Sequence, residues 1–143
     1  MKYRGSCLCG KMKYETGDLV KEIDHCHCRF CQKQHGAPFG SLVLVKDPST
    51  FTWTSGGDDV GSYESSPDSW RQFCNTCGSK LVAIIHGGKL IAITPSTLDD
   101  KLEVEEIRHM FVSSKADWYT IREGETAYDE YPPYLSDFFT RID

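Results

Sequence analysis

Short runs of alternating apolar and polar residues dominate the chain, and turn residues punctuate them. Lys11–Glu15 alternates and then meets Thr16-Gly17-Asp18. Ser41–Lys46 is apolar and β-branched, and Asp47-Pro48 stops it. Phe51–Thr54 precedes Gly56-Gly57, and Val60–Ser65 alternates about Tyr63. Lys80–His86 and Lys89–Thr94 flank Gly87-Gly88. That pair predicts a hairpin with a two-residue turn, because glycine accepts positive φ at both positions. Glu103–Val112 holds a further strand. Helical periodicity is weak: the pattern offers one short turn after Cys28 and a terminal helix over Leu135–Ile142. The chain therefore reads as mainly β with short helical turns. It shows no internal repeat, low-complexity tract or obvious linker.

Length and charge narrow this picture. The 143 residues suit one domain, 1–143, with a modest core. A formal charge of -5 and a pI near 5.5 argue against nucleic acid or an anionic membrane as partner. The opening M-K-Y-R-G-S-C lacks the apolar run of a signal peptide, and no stretch approaches the ~18 apolar residues of a membrane span. A cytoplasmic protein is the expectation.

The seven cysteines carry the chemistry. Cys7 and Cys9 lie in S-C-L-C-G, Cys26, Cys28 and Cys31 in H-C-H-C-R-F-C, and Cys74 and Cys77 in F-C-N-T-C-G. In a reducing compartment such spacings point to metal rather than disulfides, and an odd count would leave one thiol over. Zinc takes four ligands; a structural site is closed, and a catalytic one keeps a position open. Seven thiolates divide into a closed four, Cys7, Cys9, Cys74 and Cys77, and an open three, Cys26, Cys28 and Cys31. A second partition pairs ligands from Cys26–Cys31 with Cys74 and Cys77 and leaves Cys7 and Cys9 idle. The first is preferred because it leaves no thiol unexplained. It staples the first strand to the middle of the chain, and structural zinc contributes roughly 10–16 kcal/mol in small zinc-finger peptides. Gly10 and Gly78 each follow a ligand pair, where a tight turn needs positive φ.

A zinc held by three thiolates carries net negative charge, so a fourth sulfur on it retains electron density. Such a site suits thiol chemistry, whereas water activation relies on neutral histidine ligands. Arg29 and Lys33 flank the triple and are the candidate contacts for an anionic substrate; Gln32 and Gln34 supply hydrogen bonds, and Arg71 and Lys80 bracket the last pair. Among the five histidines, His25 and His27 alternate with cysteines and point away from the sulfurs, as outer support. His35 is the one placed to close the triple as a fourth ligand. His86 and His109 read as packing residues in strands. Phe39 and Trp118 are candidate pocket walls.

Together these stretches resemble the glutathione-dependent formaldehyde-activating enzyme (centromere protein V-type) family. The resemblance runs through S-C-L-C-G, the block His25–Gly40, and R-Q-F-C-N-T-C-G-S-K-L, then T-L-D-D and H-M-F-V-S-S-K-A-D-W. It covers residues 5 to about 118. Ser96 stands where the family more often has glycine, and the last 25 residues match loosely. The resemblance implies a single zinc-stapled β-tent of the Mss4-like kind with two zincs per chain. Cys7, Cys9, Cys74 and Cys77 then correspond to the structural ligands, and Cys26, Cys28 and Cys31 to the catalytic zinc. It implies a carbon–sulfur lyase that forms or cleaves S-hydroxymethylglutathione, with glutathione as co-substrate and formaldehyde as aldehyde. Two other readings compete: a non-catalytic zinc-stabilised thiol-binding or scaffold module, and a methionine-sulfoxide-type reductase. The latter needs a reactive cysteine free of metal.

Overall fold

The computed structural model describes residues 2–142. Its elements are mostly short strands, with two α-helices and several 3-10 turns. None of the described helices is long and apolar enough to cross a membrane. The chain divides into two compact units. One comprises the chain up to Lys21 with Leu42–Glu105; the other comprises Glu22–Ser41 with the chain from Glu106 on. Each unit is thus assembled from two separate stretches.

In the first unit, β1 (Tyr3–Ser6), β2 (Lys13–Thr16) and β5 (Thr52–Ser55) form an antiparallel sheet in the order β1-β2-β5. Its side chains alternate as a sheet with one covered face requires: Tyr3, Tyr14 and Thr16 are buried, Arg4 and Lys13 exposed. A second antiparallel run joins β4 (Gly40–Leu44), β9 (Leu90–Ile93), β8 (Lys80–Ile85), β7 (Ser69–Cys74) and β6 (Val60–Ser66) in that order. All four residues of β9 and Leu81, Val82 and Ala83 of β8 are buried, which explains why these stretches read as continuous apolar runs. The core gathers Met12, Tyr14, Val43, Leu81, Val82 and Ile93. Tyr14 packs beside Phe51 and Trp53, with centroids 5.4 and 6.1 Å away, and its hydroxyl meets Thr97 Oγ1 at 2.8 Å.

In the second unit, β10 (Glu106–Met110) lies between β3 (Glu22–Cys26) and β11 (Thr126–Ala127), parallel to both. Two helices complete it, α1 (Arg29–His35) and α2 (Pro133–Ile142). The β3–β10 register sets Arg108 opposite Asp24, His109 opposite His25 and Met110 opposite Cys26. The Arg108 guanidinium grips the Asp24 carboxylate with two bonds of 2.9 and 3.0 Å, the carboxylate buried and the guanidinium nearly so.

Every run expected from the pattern contains a strand, and both helical expectations hold. The hairpin differs. Ile85 pairs with Leu90, so residues 86–89 form the connection rather than Gly87-Gly88 alone. His86, expected in a strand, itself adopts positive φ (47°) and opens a 3-10 turn with Gly87. That turn is tied sideways: the Gly87 N–H donates to Asp68 O at 2.8 Å and the His86 N–H to Ser69 Oγ at 3.2 Å. Strands β1, β3, β7 and β11 escaped the pattern. In β3 the inward position belongs to Asp24, which only its partner Arg108 makes tolerable.

Removing one member of a buried ion pair strands the other. Asp24→Asn should cost about 3–5 kcal/mol of stability, read as a lower urea midpoint with an unchanged denaturant slope; Lys2→Gln, at an exposed pair with Glu15, should leave the midpoint where it is.

Candidate functional site

Two knots of thiols form, one in each unit. In the first unit, the Sγ atoms of Cys7, Cys9, Cys74 and Cys77 all lie within 4.8 Å of one another. The Cys7 and Cys9 sulfurs are 3.6 Å apart, and those of Cys9 and Cys74 are 3.8 Å apart. A disulfide needs about 2.05 Å, and none of the seven cysteines forms one. Tetrahedral zinc with bonds of ~2.3 Å separates its sulfurs by about 3.8 Å. The donor set fits that ion.

Local backbone builds this knot. The Met12 N–H donates to Cys7 Sγ at 3.2 Å, and the Gly10 N–H closes a turn onto Cys7 O at 3.1 Å. The Gly78 N–H does the same onto Cys74 O at 2.8 Å. Gly10 and Gly78 sit at φ of 82° and 78°, as their places after the ligand pairs predicted. Hydrogen bonds from the Ser79 hydroxyl and amide, helped by the Cys9 amide, pull the Cys77 thiol down to about 5.

The second knot holds the Sγ atoms of Cys26, Cys28 and Cys31, again within 4.8 Å of one another. Cys26 ends β3, Cys28 caps α1, accepting from the Cys31 N–H at 3.4 Å, and Cys31 is buried one turn on. Crowding by the Cys28 and Cys31 sulfurs, together with burial, pushes the Cys26 thiol far up. Three charges cannot share this space without a cation. Among the described residues, no histidine, aspartate or glutamate joins the three. His35 ends α1 and lies near Cys31: a Cβ built on Gly40 would come within 2.6 Å of His35 Nε2 and 3.1 Å of Cys31 Cβ.

Histidines flank these cysteines in the sequence and contact one another. His25 Nδ1 meets Ser41 Oγ at 2.9 Å, and its ring stacks on Phe39 at 4.1 Å. His27 is fully buried, and its Nε2 meets Nδ1 of His109 at 2.8 Å. His109 Nε2 in turn meets Glu125 Oε2 at 3.0 Å. Burial, helped by the neighbouring His109, pulls His25 and His27 each down to about 4. His109 is therefore more than the strand-packing residue expected of it, and Glu125 lies in the tail that the resemblance left uncovered. The β3–β10 register reveals the link, since it sets His109 opposite His25.

The other expected residues fall as follows. Arg29 and Lys33 are both exposed, one helical turn apart on α1, and the Arg29 guanidinium also donates to Gln32 Oε1. Gln32 is buried and donates to the carbonyls of His27 and Ser114 at 2.6 and 2.9 Å, so it braces the turn. Arg71 bonds Ser65 Oγ and Lys80 bonds Val82 O, both inside the first unit. Trp118 is 76% exposed, whereas Phe39 packs among His25, His27 and His109.

The model of one protein family, glutathione-dependent formaldehyde-activating enzyme, matches residues 2–114. The chain belongs to this family. A Schizosaccharomyces pombe protein described as an uncharacterized lyase is 31% identical over 88 residues, 62% of this chain and 61% of the relative. The chain thus matches about three-fifths of that relative's length. A crystal structure of a Rhodobacter sphaeroides protein superimposes with a TM-score of 0.58 at 17% identity, covering 68% of this chain and 89% of that one. This last likeness concerns the fold. The family match spans both knots, from Cys7 to Cys77, and stops before Glu125.

The depressed histidines of this family member give a pH signature. A histidine whose folded pKa lies below its unfolded value of ~6.5 contributes stability that is present above that value. The contribution is lost as pH falls toward about 4. The urea midpoint should therefore fall between those limits, and His25→Phe should decline less steeply than the wild type; equal slopes would count against burial as the cause.

Proposed function

We propose that the chain is a zinc-dependent carbon–sulfur lyase of the formaldehyde-activating type, which forms or cleaves S-hydroxymethylglutathione. The observation that carries this is the three-thiol knot. Cys26, Cys28 and Cys31 converge without a fourth histidine or carboxylate among the described residues, while a separate set of four thiols is complete. In this reading Cys7, Cys9, Cys74 and Cys77 hold a structural zinc, and Cys26, Cys28 and Cys31 hold a catalytic one. A zinc on three thiolates would take an incoming thiol as thiolate and keep it electron-rich.

The chain's own residues supply the rest. Cys28 and Cys31 are fixed by the first turn of α1, and Cys26 by the end of β3, so the three sulfurs converge on a common point. Phe39 packs against the rings of His25 and His27, which flank Cys26 in the sequence. Arg29 and Lys33, exposed on one face of α1, are the proposed contacts for the two carboxylates of glutathione. In the net reaction the S–H bond breaks, a bond forms between sulfur and the formaldehyde carbon, and the proton ends on the former carbonyl oxygen. The proposed domain is the whole chain, 1–143, since each unit is assembled from two separate stretches. The partners are then a small thiol and an aldehyde, met in the cytoplasm.

Metal analysis and calorimetry on one sample test this. Wild type should carry two zincs and bind glutathione. Cys28→Ser should lose one zinc and the thiol binding yet stay folded, while Cys77→Ser should unfold. Equal loss of stability in the two variants would refute the division of ligands. Two zincs without thiol binding would leave a zinc-stabilised scaffold.

A further inference from the structure

Glu125, His109 and His27 form one hydrogen-bonded chain that ends on the residue between Cys26 and Cys28 in the sequence. Glu125 Oε2 lies 3.0 Å from His109 Nε2, and His109 Nδ1 lies 2.8 Å from His27 Nε2. An ionised carboxylate only accepts, so His109 carries its proton on Nε2. In that tautomer the Nδ1 of His109 is a lone pair, and the proton in the second bond belongs to Nε2 of His27. The Nδ1 of His27 is left as a lone pair as well. That nitrogen is buried and has no hydrogen-bond partner among the described residues. A buried acceptor without a donor is tolerated more often than a buried N–H without an acceptor. The carboxylate at one end and the unmet nitrogen at the other therefore select the same tautomer, independently.

This tautomer bears on the thiols because His27 sits between Cys26 and Cys28. Its N–H donates to Met110 O at 2.9 Å, its carbonyl accepts from Gln32 Nε2 at 2.6 Å, and its ring is the third anchor. The ring faces only other rings besides: Phe39 at 5.1 Å and Tyr119 at 5.8 Å between centroids. Nothing but His109 gives that ring a directional bond among the described residues.

We propose that Glu125 and His109 are positioning residues for the three-thiol site: through this chain they hold His27 in one tautomer and orientation, and with it the turn that carries Cys26 and Cys28. The proposal rests on the reading of Cys26, Cys28 and Cys31 as a metal site. Neither residue belongs to the three-thiol ligand set. The pair fixes the ligand geometry in advance, the role that outer hydrogen bonds play in metal sites generally.

Cobalt(II) titration of the full chain separates the two thiol sets, because the four-thiol set should fill first. Its d–d absorption reports geometry at each equivalent. In Glu125→Ala the second equivalent should bind about 10–100-fold more weakly with shifted d–d bands, while the first is unchanged. Glu123→Ala, an exposed carboxylate nearby, controls for loss of charge and should behave as wild type. Wild-type affinity and bands in Glu125→Ala would overturn the positioning role alone. A single cobalt equivalent in wild type would overturn it together with the two-metal reading. Should Glu125→Ala fail to fold, 15N spectra of the wild-type histidines decide: a proton on His27 Nε2 supports the chain, and one on Nδ1 refutes it.

Discussion

Sulfur crowding is the constraint on which the structure turns. Seven thiols are drawn into two knots, each with all sulfurs within 4.8 Å. The separations of 3.6 and 3.8 Å in the first knot are too long for a disulfide and close to those of tetrahedral zinc. Ionised sulfurs at such distances repel one another by several kcal/mol at an effective dielectric of ~20, and Cys26 shows the effect in a thiol driven far up by its neighbours. A fold that spends buried volume on sulfurs in this way makes sense when a cation binds them. The backbone agrees: the Met12 N–H is aimed at Cys7 Sγ and the Cys31 N–H at Cys28 Sγ, both suited to a thiolate acceptor.

The two knots are built differently, as the proposed division into a structural and a reactive site requires. Cys7 and Cys74 are embedded in the core cluster with Met12, Tyr14 and Leu81, so that knot and core form together. The triple instead hangs on one strand end and one short helix, within a unit stitched by polar contacts: Asp24 with Arg108, His27 with His109, Gln32 with two carbonyls. Directional bonds hold a geometry more tightly than apolar packing of the same area, and leaving any of them half-made is costly. If the triple keeps one coordination position free, as proposed, it benefits from ligands held by their surroundings.

The cysteine spacings made both knots legible in the sequence, because each ligand pair or triple is local and its geometry follows from the turn that bears it. The turns at Gly10 and Gly78, after Cys9 and Cys77, were legible for the same reason. What escaped was non-local. His109 and Glu125 reach His27 through the pairing of β3 with β10, across a separation of 82 residues between the two histidines. No spacing rule joins residues so far apart. β3 itself was hidden because its inward Asp24 breaks the apolar pattern, and only Arg108 makes that position intelligible. The His86 turn was misjudged because positive φ fell on a histidine, where the pattern assigns it to glycine.

These misses share a cause that bears on function. Periodicity detects apolar burial, and the second unit is where burial is most polar: Asp24, His27, Gln32 and His109 are all buried. Buried polar groups cost stability unless each is answered, so their accumulation around one thiol knot demands a return other than stability. Asp24 is answered by two bonds and Gln32 by two carbonyls. His27, between Cys26 and Cys28 in the sequence, is answered at one nitrogen and left open at the other. The open nitrogen thus belongs to the residue that separates Cys26 from Cys28 in the sequence. A buried polar atom left open costs stability, so its retention in the residue between two of the candidate ligands supports the proposal that the triple, rather than the set of four, is the reactive site.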